Sequence, residues 1–295
     1  MKAFFLISNM IILISCTAQK FPQEKFFATL PKMSPIIGGT NVTSASPISH
    51  FVVGIYDKKT HFICTGSLIR KNLVLTAAHC IESAASNLVI IFGLDFTAYD
   101  TNDLNQLRIG NATKVHPDYK KENPSDLDWN DLALIRFSGD LPEGYAPISL
   151  LEDSSQLKQG STVQMAGFGA NGVEFDEITI KKDKKFKQEL EAGNIVCYDK
   201  NSTQCYSIHF LGSDQLRATQ AEIEGFTEKE FRLNEGHGHG TCVGDSGGPL
   251  IYQSENKINL IGITSRGSPF CDGPAIYTNA LEYSEWLEQA AIELK

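Results

Sequence analysis

The stretch "GDSGGPL", Gly244–Leu250, sets one serine among three glycines, directly after an aspartate and just ahead of a proline. Glycines beside a serine let the backbone turn its N–H groups toward one point, which is where an oxyanion forms when a hydroxyl attacks a carbonyl. A neutral hydroxyl is a poor nucleophile. It needs a base within hydrogen-bond reach, and the base needs a carboxylate that fixes its tautomer and stabilises its charged form. Two further stretches offer those groups: "LTAAHC" (Leu75–Cys80) brings His79, and "NDLALI" (Asn130–Ile135) brings Asp131. Singly, each reads more readily as something bland: a structural histidine, a turn aspartate, a glycine loop. The order His, Asp, Ser, closing on "GGP", is hard to produce by chance.

Outward from these stretches the chain consists mostly of short apolar runs broken by turn residues. They include "FVVGIY" (Phe51–Tyr56), "NLVLTAA" (Asn72–Ala78), "NLVIIFG" (Asn87–Gly93), "DLALIRF" (Asp131–Phe137), "STVQMAG" (Ser161–Gly167) and "INLIGITS" (Ile258–Ser265). Such spacing predicts an all-β sandwich or barrel. Two helices are also expected. "TEKE" (Thr227–Glu230) fits a capping box, and Tyr283, Trp286, Leu287, Ala290, Ala291 and Leu294 fall on one helical face near the C-terminus. Between Asn171 and Asp214, a charged stretch with "KKDKKFK" reads as a solvated insertion, with Cys197 and Cys205 spaced for a local staple.

The net charge of −9 over 295 residues argues against a nucleic-acid partner, because a polyanion calls for a basic face. At the amino end, one lysine precedes an apolar run too short for a comfortable membrane span, which is the shape of an export signal over residues 1–18. Two endings fit it. Leu13–Cys16 resembles a bacterial lipobox, which would anchor the chain to a membrane by lipid on Cys16; cleavage after Ala18 would release it unanchored. If Cys16 belongs to the signal, six of the seven cysteines remain, an even number that an oxidising compartment would let pair.

The combination of "IIGG" (Ile36–Gly39), "TAAHC", "DLAL", "GFG" (Gly167–Gly169), "GDSGGP" and "PAIYT" (Pro274–Thr278), in that order, resembles the chymotrypsin/trypsin family of serine endopeptidases over nearly everything from Ile36 onward. The resemblance implies two packed six-stranded antiparallel β-barrels with a C-terminal α-helix and the active site between the barrels. It makes residues 36–295 the peptidase domain and 19–35 a pro-segment. It makes His79 the general base, Asp131 its orienting carboxylate, Ser246 the nucleophile, and the N–H groups of Gly244 and Ser246 the oxyanion hole. It pairs Cys64 with Cys80 and Cys242 with Cys271, and closing a loop of the first size stabilises by about 3 kcal/mol in the chain-entropy model.

The family's activation logic explains the Ile-Ile-Gly-Gly run. Cleavage before Ile36 would free an α-amino group that turns inward to pair with Asp245, with Gly38 and Gly39 allowing the swing. A buried carboxylate without a partner is costly, so before cleavage Asp245 is expected to point elsewhere and leave the Gly244 N–H misaligned. Pro35 stands where the family has Lys or Arg, so a different, activating protease is implied. The primary specificity pocket falls on Gly240 at the floor with Thr241 beside it, bounded by Ser265, Gly267 and Ala275. With no carboxylate at position 240, poor cleavage after Arg or Lys is expected. Asp272, on a short wall, is the one acid that could reach the pocket. Arg266 replaces an aromatic, which favours acidic residues upstream in protein or peptide substrates.

No metal and no cofactor are expected. His237 and His239 in "GHGHG" lack a third ligand, and Asp95, Asp100 and Asp103 do not line up with the family's calcium loop. His116, before a turn proline, reads as a surface residue. Two other readings compete: a catalytically silent homologue that binds a partner, which the three filled positions give no reason to prefer, and an adhesin-like β-domain, which leaves the His-Asp-Ser order unexplained.

Overall fold

A computed structural model describes residues 35–96, 106–120, 128–180, 183–191, 194–197, 204–212, 215–236, 238–254 and 257–294. The export signal, Cys16 and the pro-segment up to residue 34 lie outside the described residues, as do Asp100, Asp103 and His237.

Each apolar run named above becomes a strand. After a two-residue strand β1 (Thr40–Asn41), strands β2 (Val52–Asp57), β3 (Ile63–Arg70), β4 (Leu73–Thr76), β5 (Leu88–Ile91), β6 (Leu107–Val115) and β7 (Ala133–Phe137) close an antiparallel barrel in the order β2-β3-β4-β7-β6-β5. β4 and β5 are buried along their whole length, which is why they read as unbroken apolar runs and not as alternating ones.

The chain enters a second barrel with β8 (Thr162–Gly167), then leaves it for β9 (Gly172–Ile178), β10 (Ile195–Cys197) and β11 (Cys205–Leu211). It returns with β12 (Arg217–Phe226), β13 (Glu230–Asn234), β14 (Pro249–Ser254), β15 (Lys257–Arg266) and β16 (Pro274–Asn279). This barrel closes because β8 pairs with both β12 and β14, and β1 adds to the outer end of β12. The two six-stranded barrels are those that the resemblance implied. The C-terminal helix is also there, Ser284–Glu293, with Leu287, Ala290 and Ala291 buried.

Three expectations are corrected. The insertion is not merely solvated chain: β10, β11 and β9 form their own antiparallel sheet, joined by a helix α1 (Lys184–Glu191) and stapled by Cys197–Cys205. Its aromatic side chains anchor it. Phe210 packs with Ile37, Ala170, Cys242 and Cys271, while Phe175 and Tyr206 set their rings against Phe270, at 5.2 and 6.4 Å between centroids.

"TEKE" forms no helix. It is the hairpin turn between β12 and β13, where Thr227 Oγ1 accepts from the N–H groups of Lys229 and Glu230 at 3.3 and 3.1 Å. A threonine hydroxyl bonds the following amides as readily in a turn as in a cap, and the strand pairing on either side decides between them. His116 is not a free surface group, since its ring lies 5.1 Å from that of Tyr283 and 4.9 Å from that of Trp286. It docks the C-terminal helix, and burial pushes its pKa down.

The barrels are tied together at Thr65 on β3. Its hydroxyl donates to the Gly244 carbonyl at 2.8 Å and accepts from the Phe168 N–H at 3.1 Å, while its own N–H donates to the Ser246 carbonyl at 2.8 Å. Thr65→Val keeps the shape and strands a buried amide and carbonyl. It is expected to lower stability by about 1–3 kcal/mol, read as a lower thermal midpoint; an unchanged midpoint would contradict this role for the hydroxyl.

Candidate active site

His79 sits in a short 3-10 turn, Ala78–Cys80, where β4 runs out, and Asp131 lies two residues before β7, the neighbour of β4 in the first barrel. That adjacency brings them together although 52 residues separate them. Asp131 Oδ2 accepts from His79 Nδ1 at 2.8 Å, and Asp131 Oδ1 accepts from the His79 backbone N–H at 3.0 Å. The two bonds fix both the ring and its turn.

Asp131 is fully buried, and burial by itself would raise its pKa. The charge and hydrogen bonds of His79, with a bond from Ser265, outweigh burial and hold it below the ordinary carboxylate range. Ser265 Oγ donates to Asp131 Oδ2 at 2.6 Å, and Thr278 Oγ1 donates to the Asp131 carbonyl at 3.1 Å. Asp131 comes from the first barrel, Ser265 and Thr278 from the second. One buried carboxylate is thus clamped from both sides. Ser265, expected on the wall of the specificity pocket, turns its hydroxyl to Asp131.

Ser246 is partly exposed and its backbone is pinned against the first barrel. Its carbonyl accepts from Thr65 N–H and lies 3.6 Å from Cys80 Sγ, in the disulfide that flanks His79. Among the described residues its hydroxyl makes no hydrogen bond to His79; such bonds are commonly loose before substrate is bound. Gly244 has φ +101°, a conformation that other residues rarely adopt. Among the described residues, the N–H groups of Gly244 and Ser246 donate to no protein acceptor. Two free amides flanking a hydroxyl can receive a developing negative charge.

The activation groups differ from expectation. Ile36 is fully buried and the Asp245 side chain points inward. The Asp245 carboxyl accepts from Gly169 N–H at 2.8 Å and Cys242 N–H at 2.9 Å and has no ion-pair partner among the described residues. Burial raises its pKa to about 7, against the two amide bonds, with Glu235 adding repulsion. A proton can therefore take the place of a cation, which lets the side chain stay inside before cleavage. Ile36 is held at φ 30°, an outlier for a β-branched residue. Gly38, at φ +73°, makes the following turn, and a Cβ there would fall 2.1 Å from the Gly238 carbonyl. The next residues are secured from two sides. Gly240 N–H donates to the Ile37 carbonyl at 2.9 Å, and the Arg217 guanidinium bonds the Gly39 carbonyl and Asn41.

Of the residues expected to line the specificity pocket, Gly240 is buried, Thr241 is partly exposed, and Gly267 lies exposed beside the buried Ala275. Sequence reasoning missed Glu235, which no motif marks. It is buried, and its Oε2 accepts from Thr241 N–H at 2.5 Å and Thr241 Oγ1 at 2.8 Å, while Tyr277 Oη donates to Oε1. Burial, the larger effect, raises its pKa in spite of those bonds.

His239 lies beside Gly38, and Asp95 pairs with Gln215. Among the described residues one group of possible ligands comes close enough for a metal, Cys64, His79 and Cys80, and both sulfurs are in a disulfide. The cysteine pairs expected by resemblance, and the local staple Cys197–Cys205, are all bonded.

Arg266 does not offer a free positive charge. Its guanidinium bonds both oxygens of Glu230, at 2.8 and 2.9 Å, and lies 4.6 Å from the centre of the Trp129 ring. An acidic substrate residue would have to compete with a buried carboxylate already in place. Arg266→Ala leaves Glu230 buried and unpaired and is expected to cost about 3 kcal/mol. The double variant Arg266→Ala, Glu230→Gln should recover most of the loss in thermal unfolding. Equal loss in single and double variants would contradict the pairing.

Comparison with known proteins agrees with this architecture. The Trypsin family model matches residues 36–287. Kallikrein 1-related peptidase b24 of Mus musculus is 31% identical over 274 residues, covering 88% of this chain and 91% of that protein, and kallikrein 1-related peptidase b21 of the same species is 32% identical over the same shares. Glandular kallikrein-10 of Rattus norvegicus is 28% identical over 284 residues, covering 90% and 93%. With its two barrels and this match over nearly the whole described chain, the protein belongs to the trypsin family and is a serine endopeptidase.

Proposed function

We propose that the protein is an exported endopeptidase made as an inactive precursor, which hydrolyses peptide bonds through His79, Asp131 and Ser246. In this reading Ser246 Oγ attacks the substrate carbonyl while His79 Nε2 takes its proton. Asp131, bonded to Nδ1, holds the ring in the tautomer that leaves Nε2 free and stabilises the imidazolium. The oxyanion is received by the N–H groups of Gly244 and Ser246. His79 then returns the proton to the leaving amine, and water repeats the sequence on the acyl-enzyme. The substrate lies along Ser265–Gly267 as an added strand. The observation that carries the reading is the bonded array His79–Asp131–Ser265 across the barrel junction, beside a serine flanked by two unused amides.

Activation is proposed to be cleavage before Ile36 by another protease, since Pro35 precedes the bond. Cutting it does two things. It removes the φ constraint at Ile36, whose strain costs on the order of 1–3 kcal/mol, because an N-terminal residue has no preceding peptide. It also turns a buried amide into an ammonium that can pair with Asp245. Export rests on the amino-terminal signal, and three disulfides fit an oxidising compartment. Neither of the two signal endings gains support from the described residues, so lipid attachment at Cys16 forms no part of this reading.

Two measurements test it. A fluorophosphonate probe should label the cleaved protein and fail on Ser246→Ala; equal labelling of that variant would sink the assignment of the nucleophile. The second is pH dependence. In the uncleaved chain Asp245 binds its proton up to about pH 7, whereas the unfolded group releases it near the ordinary value of 3.8. The folded state therefore holds the extra proton between those limits, and the stability of uncleaved protein should fall as pH rises through that window. Cleaved protein, with a cation on Asp245, should not show this fall. Parallel stability curves for the two forms would contradict the pairing.

A further inference from the structure

We propose that Asn130 is a positioning residue for the catalytic pair. Its side-chain amide, held by the Tyr283 hydroxyl at the head of the C-terminal helix, sets the direction in which Asp131 presents its carboxylate to His79. The proposal rests on the endopeptidase reading, in which Asp131 orients His79.

The backbone comes first. Asn130 has φ 52° and Asp128 φ 61°, in the left-handed region that asparagine and aspartate tolerate better than other side chains. The Leu132 N–H donates to the Asn130 carbonyl at 3.0 Å, which closes a three-residue turn with Asp131 at its centre. In so tight a turn the Cβ of the central residue points where the peptide before it allows. The direction of the Asp131 side chain is therefore set at Asn130. That direction matters because Asp131 meets His79 through two bonds, at 2.8 and 3.0 Å. Misplacing a catalytic group by about 1 Å can cost about 100-fold in rate.

The side chain holds that backbone in place. Asn130 is buried, and both ends of its amide are used. Its Nδ2 donates to the Asp118 carbonyl at 3.1 Å and the Asp128 carbonyl at 2.9 Å, while Oδ1 accepts from Tyr283 Oη at 2.8 Å and lies 3.4 Å from Lys229 Nζ. Carbonyls can only accept and an ammonium can only donate, so these partners fix which end of the amide is which. They come from four places: the loop of Asn130 itself, the segment after β6, the β12–β13 hairpin and the residue just before the C-terminal helix. Tyr283 is buried with its ring 5.1 Å from that of His116. Burial, with the charges of Asp128 and Glu230, pushes its pKa up, so the hydroxyl keeps its proton and donates. The peptide ahead is pinned as well. The Trp129 N–H donates to Glu230 Oε1 at 3.2 Å, and its carbonyl accepts from the Lys120 N–H at 3.0 Å. The docked C-terminal helix thus reaches the catalytic carboxylate through one phenol and one amide.

Tyr283→Phe removes only the hydroxyl, and Asn130→Gly removes the amide while leaving a residue at ease with positive φ. Protein cleaved before Ile36 is assayed on p-nitrophenyl acetate, with active sites counted by fluorophosphonate labelling. We expect kcat to fall about 10-fold in Tyr283→Phe and about 100-fold in Asn130→Gly, with KM held within about 2-fold, because alignment of the base counts in the transition state and not in binding the ester. The proton shared by His79 Nδ1 and Asp131 should resonate far downfield in wild type by proton NMR, and shift or vanish in both variants. Leu287→Ala, on the buried face of the same helix, is the control. It should lower the thermal midpoint and leave kcat and the resonance where they are. An unchanged kcat or an unmoved resonance in Tyr283→Phe would overturn the proposal. So would an equal fall of kcat in Leu287→Ala, which would mark a general loosening of the helix. If Asn130→Gly fails to fold, Tyr283→Phe decides alone. Wild type that takes no label would instead strike the endopeptidase reading, and the resonance, which needs no substrate, would still decide the role of Asn130.

Discussion

The buried carboxyl group of Asp245, with no counter-ion among the described residues, is the constraint on which the arrangement around Ser246 depends. Its neighbours in sequence are Gly244 and Ser246, so wherever its side chain is held, the Ser246 hydroxyl proposed as nucleophile and the two amides beside it follow. Its hydrogen bonds reach Gly169, just beyond the end of β8, and Cys242, which a disulfide ties to Cys271. The buried Ile36–Ile37 segment joins the same assembly, because Ile37 bonds Gly240 and Gly240 makes space for Glu235. The Ile36–Ile37 segment, the amides of Gly244 and Ser246, and Gly240 with Glu235 thus form one connected body. A change of charge at Asp245 is felt by all three.

The barrels supply rigidity where this body needs it. Asp131 belongs to the first barrel and is bonded by Ser265 and Thr278 of the second, while Thr65 of the first bonds Gly244 and Phe168 of the second. These contacts are short, buried and reciprocal, so the junction does not depend on a large flat interface to keep its register. The insertion adds a third brace: Phe210 closes over Ile37 and the Cys242–Cys271 bridge, and Phe175 and Tyr206 meet Phe270 edge to face.

Much of the fold could be read in the chain before any coordinates, for a physical reason. Strands such as β4 and β5 are buried on every residue, and only unbroken apolar runs survive there. Gly244 needs a conformation that other residues resist, and His79 and Asp131 sit at the ends of adjacent strands, so the motifs announce themselves. The misses have a different origin. Thr227 and Glu230 carry a cap signal that a hairpin uses equally well. Ser265 and Arg266 were assigned from their place along a substrate strand, yet their side chains answer to Asp131 and Glu230, partners distant in sequence. Glu235 lies in a glycine- and histidine-rich stretch with no motif at all, and its meaning comes from Gly240, Thr241 and Tyr277 meeting around it. Side-chain direction at a junction is a tertiary property, and local pattern does not encode it.

The central claim is that a liberated terminus replaces a proton on Asp245. The most direct test follows the Asp245 carboxyl by carbon-13 NMR in Ser246→Ala protein, before and after cleavage at Ile36, with Asp245→Asn to assign the signal. The account predicts titration near 7 in the uncleaved chain and a shift to well below that value once the terminus is free. A signal that titrates at the same pH in both forms would contradict it.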